Sequence, residues 1–333
     1  MTAARVQPNR GDMQEARRIV DAVSDAFTAK VVGQANLRES LLIGLLAGGH
    51  ILLESVPGLA KTTAARVIAE SIRGGFQRIQ CTPDLLPSDI IGTQVYEAQT
   101  HSFATQLGPV HTNILLLDEI NRSSAKTQSA MLEAMEERQT TVAGRVHPIP
   151  EPFLVIATQN PVDQEGTYPL SEAQTDRFML KEILHYPSAR EEVEVMARID
   201  AGVYDTNRRG YPVVGLEDVR RLQLLVRGVH MDPALMQYAS ELVAATRSPH
   251  QALPAQLARL IEYGASPRAT IAFCRSARAL AVLSGRGHVI PDDIRKLAHR
   301  VLRHRLILGF EAATAKVTTD AVVDAVLQAV RVP

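Results

Sequence analysis

The chain is poor in several features that would narrow its function at once. It has only two cysteines in 333 residues, Cys81 and Cys274, too few for a disulfide framework or a cysteine metal site. It has no excess charge of either sign, with 36 Lys and Arg against 36 Asp and Glu. A protein built mainly to hold nucleic acid electrostatically carries a basic surplus, so nucleic acid is disfavoured as a partner. No apolar run reaches transmembrane length, and residues 1–8 lack the hydrophobic centre of a signal peptide, so neither membrane insertion nor export is expected. The ten histidines form no close H-x-x-x-H pair, which disfavours histidine metal binding. There is no internal repeat and no low-complexity tract. A cytoplasmic chain is expected, and its length predicts two domains.

What is present begins at residues 50–63, H-I-L-L-E-S-V-P-G-L-A-K-T-T. An apolar strand runs into a turn that ends in Lys-Thr at the head of a helix. A polyphosphate needs inward backbone N–H groups, a helix N-terminus, a lysine on the outer phosphates and a hydroxyl for Mg²⁺. Lys61 and Thr62 stand where the last two jobs are done, and Val56, Pro57, Gly58, Leu59, Ala60 and Thr63 make up the rest of the loop and its exit. The pattern G-x-x-x-x-G-K-[ST] is missed twice, because Ser55 and Ala60 take the two glycine positions. Alone, the segment reads equally well as an ordinary strand-to-helix turn.

Two further runs bear on that choice. Residues 113–119, N-I-L-L-L-D-E, form a continuous apolar stretch ending in two carboxylates, as in a strand buried on both faces of a parallel sheet. Ligands sit at the C-terminal edge of such sheets. Asp118 would hold Mg²⁺ through water and Glu119 would polarise the water that attacks the γ-phosphate. Residues 152–161 repeat the pattern and end in Gln159-Asn160-Pro161, where an amide orients a water without adding charge. Any one run is readable as a plain core strand; three ending in Lys-Thr, Asp-Glu and Asn are hard to reach by accident.

Over residues 32–281 the chain resembles the MoxR family of AAA+ ATPases. The residues that carry the likeness are V-P-G-L-A-K-T at 56–62, L-D-E-I-N-R at 117–122, K-T-Q-S-A-M-L-E-A-M-E-E at 126–137, V-I-A-T-Q-N-P at 155–161, E-G-T-Y-P-L at 165–170, A-Q-T-D-R-F at 173–178 and G-A-S-P-R-A at 264–269. The family usually carries alanine before the lysine, as at Ala60, whereas Ser55 departs from a usual glycine. The resemblance implies that Lys61 contacts the β and γ phosphates of ATP, Thr62 and Asp118 serve Mg²⁺, Glu119 activates water and Asn160 is the first sensor. It implies that Arg177 is the finger reaching the adjacent subunit's nucleotide, that Arg268 is the second sensor, and that Val32, Gly33 and Gln34 pack beside the base.

Arg268 also follows from capping. Ser266 is a favoured N-cap and Pro267 a favoured first residue, which puts Arg268 in a first helical turn. A cation there opposes the helix dipole at a cost of about 0.3–1 kcal/mol, unless an anion lies nearby. As residues alone, Arg268 reads equally as a tolerated surface arginine, and Arg177 as half of a surface ion pair with Asp176 or Glu172.

The fold class expected is α/β, a three-layer AAA+ P-loop NTPase domain with a parallel sheet, followed by a smaller all-helical lid. Residues 1–31 form a leader and helix (13–30, with Ile19, Val20, Val23 and Phe27 on one face), 32–187 the ATPase core and 188–333 the lid. Helices are expected at 37–46, 124–137, 191–201, 216–229, 233–247, 268–284, 292–305 and 319–330, an edge strand at 77–81, a last strand at 178–184 and a turn-rich connector at 204–212. Hairpins are expected at 93–103 and 140–149. In the family such inserts face the pore or the client, which makes Tyr96, Phe103, Arg145 and His147 candidate contacts; the alternative is hairpins that only cover a sheet edge. The basic run at 295–305 is expected to be a lid helix with Leu297, Val301 and Leu302 buried and its charges solvated.

The resemblance implies a homo-oligomer, a hexameric ring, in which ATP hydrolysis remodels or activates a protein client, beside a partner with a von Willebrand factor A domain, in complex maturation or metal cofactor insertion. A nucleic-acid-stimulated translocase or loader, and a scaffold that binds ATP with low turnover, are the competing readings.

Overall fold

The computed structural model describes residues 8–56, 58–161, 167–204 and 214–333. Pro57, Glu165, Gly166 and most of the connector expected at 204–212 lie outside the described residues. Contacts divide the chain into two compact units, one of residues 18–170 and 182–221, the other of residues 171–181 and 222–333 with the described part of 1–17. The sequence reading cuts after residues 31 and 187; by contacts, 18–31 groups with the sheet, 171–181 with the helices and 182–221 with the sheet.

The sheet unit holds α1 (Arg10–Lys30), which starts within the other unit, then α2 (Ala35–Ala47), β1 (Ile51–Glu54), α3 (Lys61–Ser71), β2 (Phe76–Gln80), α4 (Pro87–Ile91), β3 (Gly92–Glu97), β4 (Ser102–Leu107), β5 (Ile114–Asp118), α5 (Ala125–Glu137), β6 (Gln139–Val142), β7 (Arg145–Pro148) and β8 (Leu154–Gln159). After α6 (Glu172–Thr175), β9 (Leu180–Ile183) completes a five-stranded sheet in the order β2-β5-β8-β1-β9, and α7 (Ala189–Asp200) follows. Strands β2, β5, β8 and β1 are all parallel. Every residue of β5, and all of β8 except Gln159, is buried. Successive side chains point to opposite faces, so both faces are covered, which explains why these strands read as unbroken apolar runs.

The helices follow their sequence signals. In α1, Ile19, Val20, Val23 and Phe27 are buried at helical spacing. Helix α2 is apolar around most of its circumference and packs deep; a Cβ on its Gly44 would lie 2.7 Å from Ile51 Cδ1, so glycine sets how closely helix and strand approach. Ser124 caps α5 by accepting from Thr127 N at 3.3 Å, a contact worth about 1 kcal/mol.

The helical unit contains most of α8 (Leu216–Gly228), then α9 (Pro233–Arg247), α10 (Pro249–Ala252), α11 (Ala255–Ala258), β10 (Ile261–Tyr263), α12 (Pro267–Leu283), α13 (Pro291–Leu302), β11 (Ile307–Leu308), α14 (Phe310–Thr314) and α15 (Thr319–Ala329). Its core joins Tyr238 and Leu242 of α9, Phe273 and Leu280 of α12, Leu297 and Val301 of α13 and Val322 and Val326 of α15, all buried. Two expectations are corrected. The unit is not wholly helical, because β10 and β11 pair antiparallel. The basic run at 295–305 does bury Leu297, Val301 and Leu302, but its charges are not all solvated: Arg300 and Arg305 are buried as well, Arg303 Nη2 lies 3.0 Å from Asp320 Oδ2, and Arg305 Nε lies 2.7 Å from Asp176 Oδ1. The reason is local. Arg300 is buried within α13 beside Val301, and the helix ends at Leu302, so residues 303–305 leave the helical face that the pattern assumes.

His304 is buried, with Nε2 donating to Phe178 O at 3.0 Å and Nδ1 without a partner among the described residues. Burial first, then the charge of Arg305, holds its pKa well below the usual 6.5, with Lys181 and Arg303 adding to the effect. The unfolded chain therefore binds a proton near pH 6.5 that the folded chain refuses, so stability is fully present above that pH and is lost below it. The urea midpoint should fall more steeply from pH 7 to 5 in the wild type than in His304→Gln, by up to about 1.4 kcal/mol per pH unit; equal slopes would contradict this.

Candidate active site

The loop after β1 leaves the sheet late: Ser55 N still donates to Gln159 O of β8 at 3.1 Å, and Ser55 is buried. Among the described residues of this loop only Gly58 (φ 86°) and Ala60 (φ 55°) adopt positive φ. The glycine missing at Ser55 is therefore not needed for curvature, whereas Ala60 holds a left-handed conformation that costs an L-residue about 1–2 kcal/mol. Helix α3 starts at Lys61, and Ala60 supplies no side-chain cap. Its first N–H groups, which have no partner within a helix, open on a cleft of about 310 Å³ lined by residues 58–63, Arg78, Gln80, Asp118 and Glu119. An uncapped helix N-terminus with a lysine and a hydroxyl on one wall and two carboxylates on the other fits a magnesium-bound polyphosphate.

The acidic wall is a connected network. Thr158 Oγ1, on β8, donates to Asp118 Oδ1 at 2.8 Å and accepts from Glu119 N at 2.8 Å. Glu119 itself is left-handed (φ 58°), which ends the strand and turns its side chain aside from that of Asp118. Arg78 contacts Asp118 Oδ2 through Nη2 at 2.6 Å and Nε at 3.2 Å. Gln80 Nε2 donates to Glu119 Oε2 at 3.0 Å and Gln80 Oε1 accepts from Arg78 Nη2 at 2.8 Å. Arg78, Gln80 and Thr158 escape the sequence reading. A signal for two of them exists: Arg78 and Gln80 stand two apart on a polar edge strand, hence on one face, and β2 pairs in register with β5 so that Gln80 lies opposite Asp118.

Not every expected residue lines this cleft. Asn160 follows β8, next to β1 in the sheet, and is buried without being part of the lining. Val32, Gly33 and Gln34 also lie outside it, with Gln34 Nε2 donating to His185 O at 3.4 Å. Arg177 and Arg268 belong to the helical unit. There Arg268 stands in the first turn of α12, its N–H donating to the N-cap Ser266 Oγ at 3.1 Å. Among the proposed contacts, Tyr96 and Phe103 face each other across the β3–β4 hairpin, 5.4 Å apart edge to face and more than half exposed. Arg145 is exposed on β7, whereas His147 is half-buried and packs against His111. Val146, 57 % exposed, is the apolar residue of that hairpin that the sequence reading passes over.

Comparison with known proteins agrees with this geometry. Residues 50–180 match the ATPase family associated with various cellular activities (AAA), and residues 255–326 match the AAA lid domain. The chain is 46 % identical to Chaperone MoxR1 of Mycobacterium tuberculosis over 91 % of its own length and 79 % of that protein's. It belongs to the MoxR family of AAA+ ATPases. Protein MoxR of Paracoccus denitrificans is 33 % identical over 85 % of this chain and 87 % of its own. A crystal structure from Cytophaga hutchinsonii, of a protein provisionally described as an ATPase, is 43 % identical with a TM-score of 0.90, covering 96 % of this chain and 97 % of that one. The MoxR fold, an AAA+ parallel sheet with a helical lid, is thus shared along nearly the whole chain.

Two outcomes are expected from the site's local chemistry. Burial, reinforced by the carboxylates of Asp118 and Glu119, pushes the Cys81 thiol up to about 12, so iodoacetamide at pH 8 should leave Cys81 unmodified in the folded protein and label it after denaturation, as read by peptide mass. Ala60→Gly removes the left-handed penalty and should raise the urea midpoint by the equivalent of about 1 kcal/mol; a fall would mean that the Ala60 methyl makes a packing contact that outweighs its backbone cost.

Proposed function

We propose that this MoxR protein hydrolyses ATP in a ring, cytoplasmic and hexameric, and uses the cycle to remodel or activate a protein client. The observation that supports it best is the single cleft in which Lys61 and Thr62, from the loop after β1, face Asp118 and Glu119, from the end of β5. Lys61 would hold the outer phosphates, while the N–H groups of residues 58–63 and the end of α3 would hold the rest. Thr62 and Asp118 would hold magnesium, which supplies charge neutralisation on the phosphates when bound. Glu119, kept in place by Gln80, would accept the proton of the attacking water, and Asn160 would orient that water. Arg177 would stabilise charge on the neighbouring subunit's nucleotide and Arg268 would serve as the second sensor. Val32, Gly33 and Gln34 would pack beside the base.

For Asp118 to take the metal, Arg78 must give up its pair with that carboxylate, which is 2.6 Å away in this structure. Client contact falls to the aromatic pair Tyr96 and Phe103 and to Arg145, with His147 behind them. One relative, MoxR1 of Mycobacterium tuberculosis, is named a chaperone, which fits a protein client; a partner carrying a von Willebrand factor A domain, and roles in complex maturation or metal cofactor insertion, extend the same reading. The basic run offers little to nucleic acid, since Arg303 and Arg305 are already paired with carboxylates.

The test is a pair of variants. Lys61→Ala should abolish binding of a fluorescent ATP analogue, while Glu119→Gln should keep binding and lower turnover by about 10²–10⁴-fold. Wild-type specific activity should rise with protein concentration, because an isolated subunit lacks its neighbour's Arg177. Slow turnover that Glu119→Gln leaves unchanged would favour a nucleotide-dependent scaffold, and stimulation by DNA that disappears at raised salt would favour a nucleic-acid machine.

A further inference from the structure

Arg177 is the middle residue of a segment that the helical unit grips from two sides. Arg305, 129 positions beyond Asp176, sends Nε to Asp176 Oδ1 at 2.7 Å and Nη2 to the main-chain oxygens of Asp176 at 3.2 Å and Phe178 at 2.6 Å. Its Nη1 reaches Met179 O at 3.3 Å and also Val301 O. The neighbouring His304 donates to Phe178 O at 3.0 Å, and Thr175 Oγ1 donates to His304 O at 3.3 Å. The residues immediately before and after Arg177 are thus fixed by a single planar guanidinium whose side chain is only 2 % exposed. The other Asp176 oxygen, Oδ2, accepts from Ser266 Oγ at 2.7 Å. Ser266 is the N-cap of α12 and accepts from Arg268 N. A chain of hydrogen bonds, exposed at Arg268 and buried at Arg305, therefore runs from the backbone of Arg268, through Ser266 and Asp176, to Arg305 and the backbone around Arg177. All of these residues lie within one compact unit.

We propose that Arg305 is a positioning residue that fixes Arg177 to the helical unit, so that the arginine offered to the neighbouring subunit and the second-sensor Arg268 move as one body. This rests on the reading of Arg177 as a residue acting across a subunit boundary. The arrangement uses what guanidinium alone provides: a fork of donors in fixed geometry reaching a carboxylate and several carbonyls at once. A lysine can pair with Asp176 but cannot span the carbonyls of 176, 178 and 179. Communication between sites then needs no separate relay, because whatever shifts α12 shifts Arg177 with it.

The experiment is complementation in mixed full-length assemblies. Arg177→Ala lacks the donated arginine but keeps its own cleft; Glu119→Gln keeps the arginine but not hydrolysis. If Arg177 acts in trans, mixing the two restores turnover that neither shows alone. Arg305→Met and the milder Arg305→Lys, each checked for oligomeric mass and melting temperature, are then mixed with Glu119→Gln. Expected are a fall in kcat of at least about tenfold for Arg305→Met and a smaller one for Arg305→Lys, given that a missing arginine finger costs about 10³–10⁵. Affinity for the fluorescent ATP analogue should stay within about twofold, since 1.4 kcal/mol already changes an equilibrium tenfold, and mixing with Glu119→Gln should rescue both. Failure of Arg305→Lys to be rescued while Arg177→Ala is rescued would overturn the positioning role and leave the trans reading standing. Failure of Arg177→Ala itself to be rescued would overturn both. Arg305→Lys with unchanged kcat would show that charge alone, not the fork, is what the segment needs, and would also overturn the proposal.

Discussion

The site depends on parallel register. Strands β5, β8 and β1 are neighbours in the sheet and point the same way, with Leu117 opposite Ala157 and Leu53 opposite Thr158. Their C-terminal ends therefore come out on one edge, although residues 54, 118 and 159 are far apart in the chain. Each strand is held by burial on both faces, so a slip by one residue would draw a terminal carboxylate or the loop's polar backbone into the covered part of the sheet and push an apolar side chain, worth about 1.5–3 kcal/mol when buried, out at the other end. The apolar runs thus do more than fill the core; they fix which polar residues emerge and where.

At that edge the protein must keep two carboxylates side by side and still make them different. Thr158 separates them: its hydroxyl donates to Asp118 and accepts from the N–H of Glu119. The left-handed turn at Glu119 then sends one acid towards Arg78 and the other towards Gln80. Asp118 is paired closely with the Arg78 guanidinium at 2.6 Å, the electrostatic surrogate of a metal, whereas Glu119 is held by the Gln80 amide at 3.0 Å and more loosely by Arg122 at 3.5 Å. An acid that binds cations and an acid that attracts protons are what phosphoryl chemistry asks of two neighbouring positions. The backbone strain at Glu119 sits where it produces this divergence.

Legibility followed the length scale of each interaction. The helices at 233–247 and 319–330 were readable because period and caps are local: Asp232 accepts from Ala234 N and Thr318 from Ala321 N, as their types suggest. The buried strands were readable because burial on both faces leaves an unbroken apolar run. The cleft's Lys-Thr and Asp-Glu were readable because their chemistry is concentrated in contiguous residues. Arg78 and Gln80 were not, since their meaning comes from the pairing of β2 with β5, a fact of register rather than of spacing. The charges of 303–305 were misread for a related reason: a helical pattern continues on paper beyond Leu302, while the backbone does not. The β10–β11 pair, three residues against two, is too short to carry a period at all.

The hairpin at 92–107 shows where folding energy has not been used. A two-stranded ribbon is marginal in water by itself, and here neither face is covered: Val95, Tyr96, Phe103 and Leu107 are all more than 40 % exposed. What holds it is the root. Strand β3 starts directly where α4 ends, and Gly108 and Val110 donate to Ile91 O and Ile90 O, each at 3.2 Å. A Cβ at Gly92 would lie 2.4 Å from Gln106 O, so the two strands close there to a distance only glycine permits. The edge-to-face pair of Tyr96 and Phe103 contributes about 0.5–1.5 kcal/mol further out. Among the described residues its strands hydrogen-bond only with each other, so the ribbon adds no strand to the central sheet. A ribbon anchored at its base, and apolar at its exposed end, gains stability only when something else covers it, which is the physical argument for placing a client there rather than solvent.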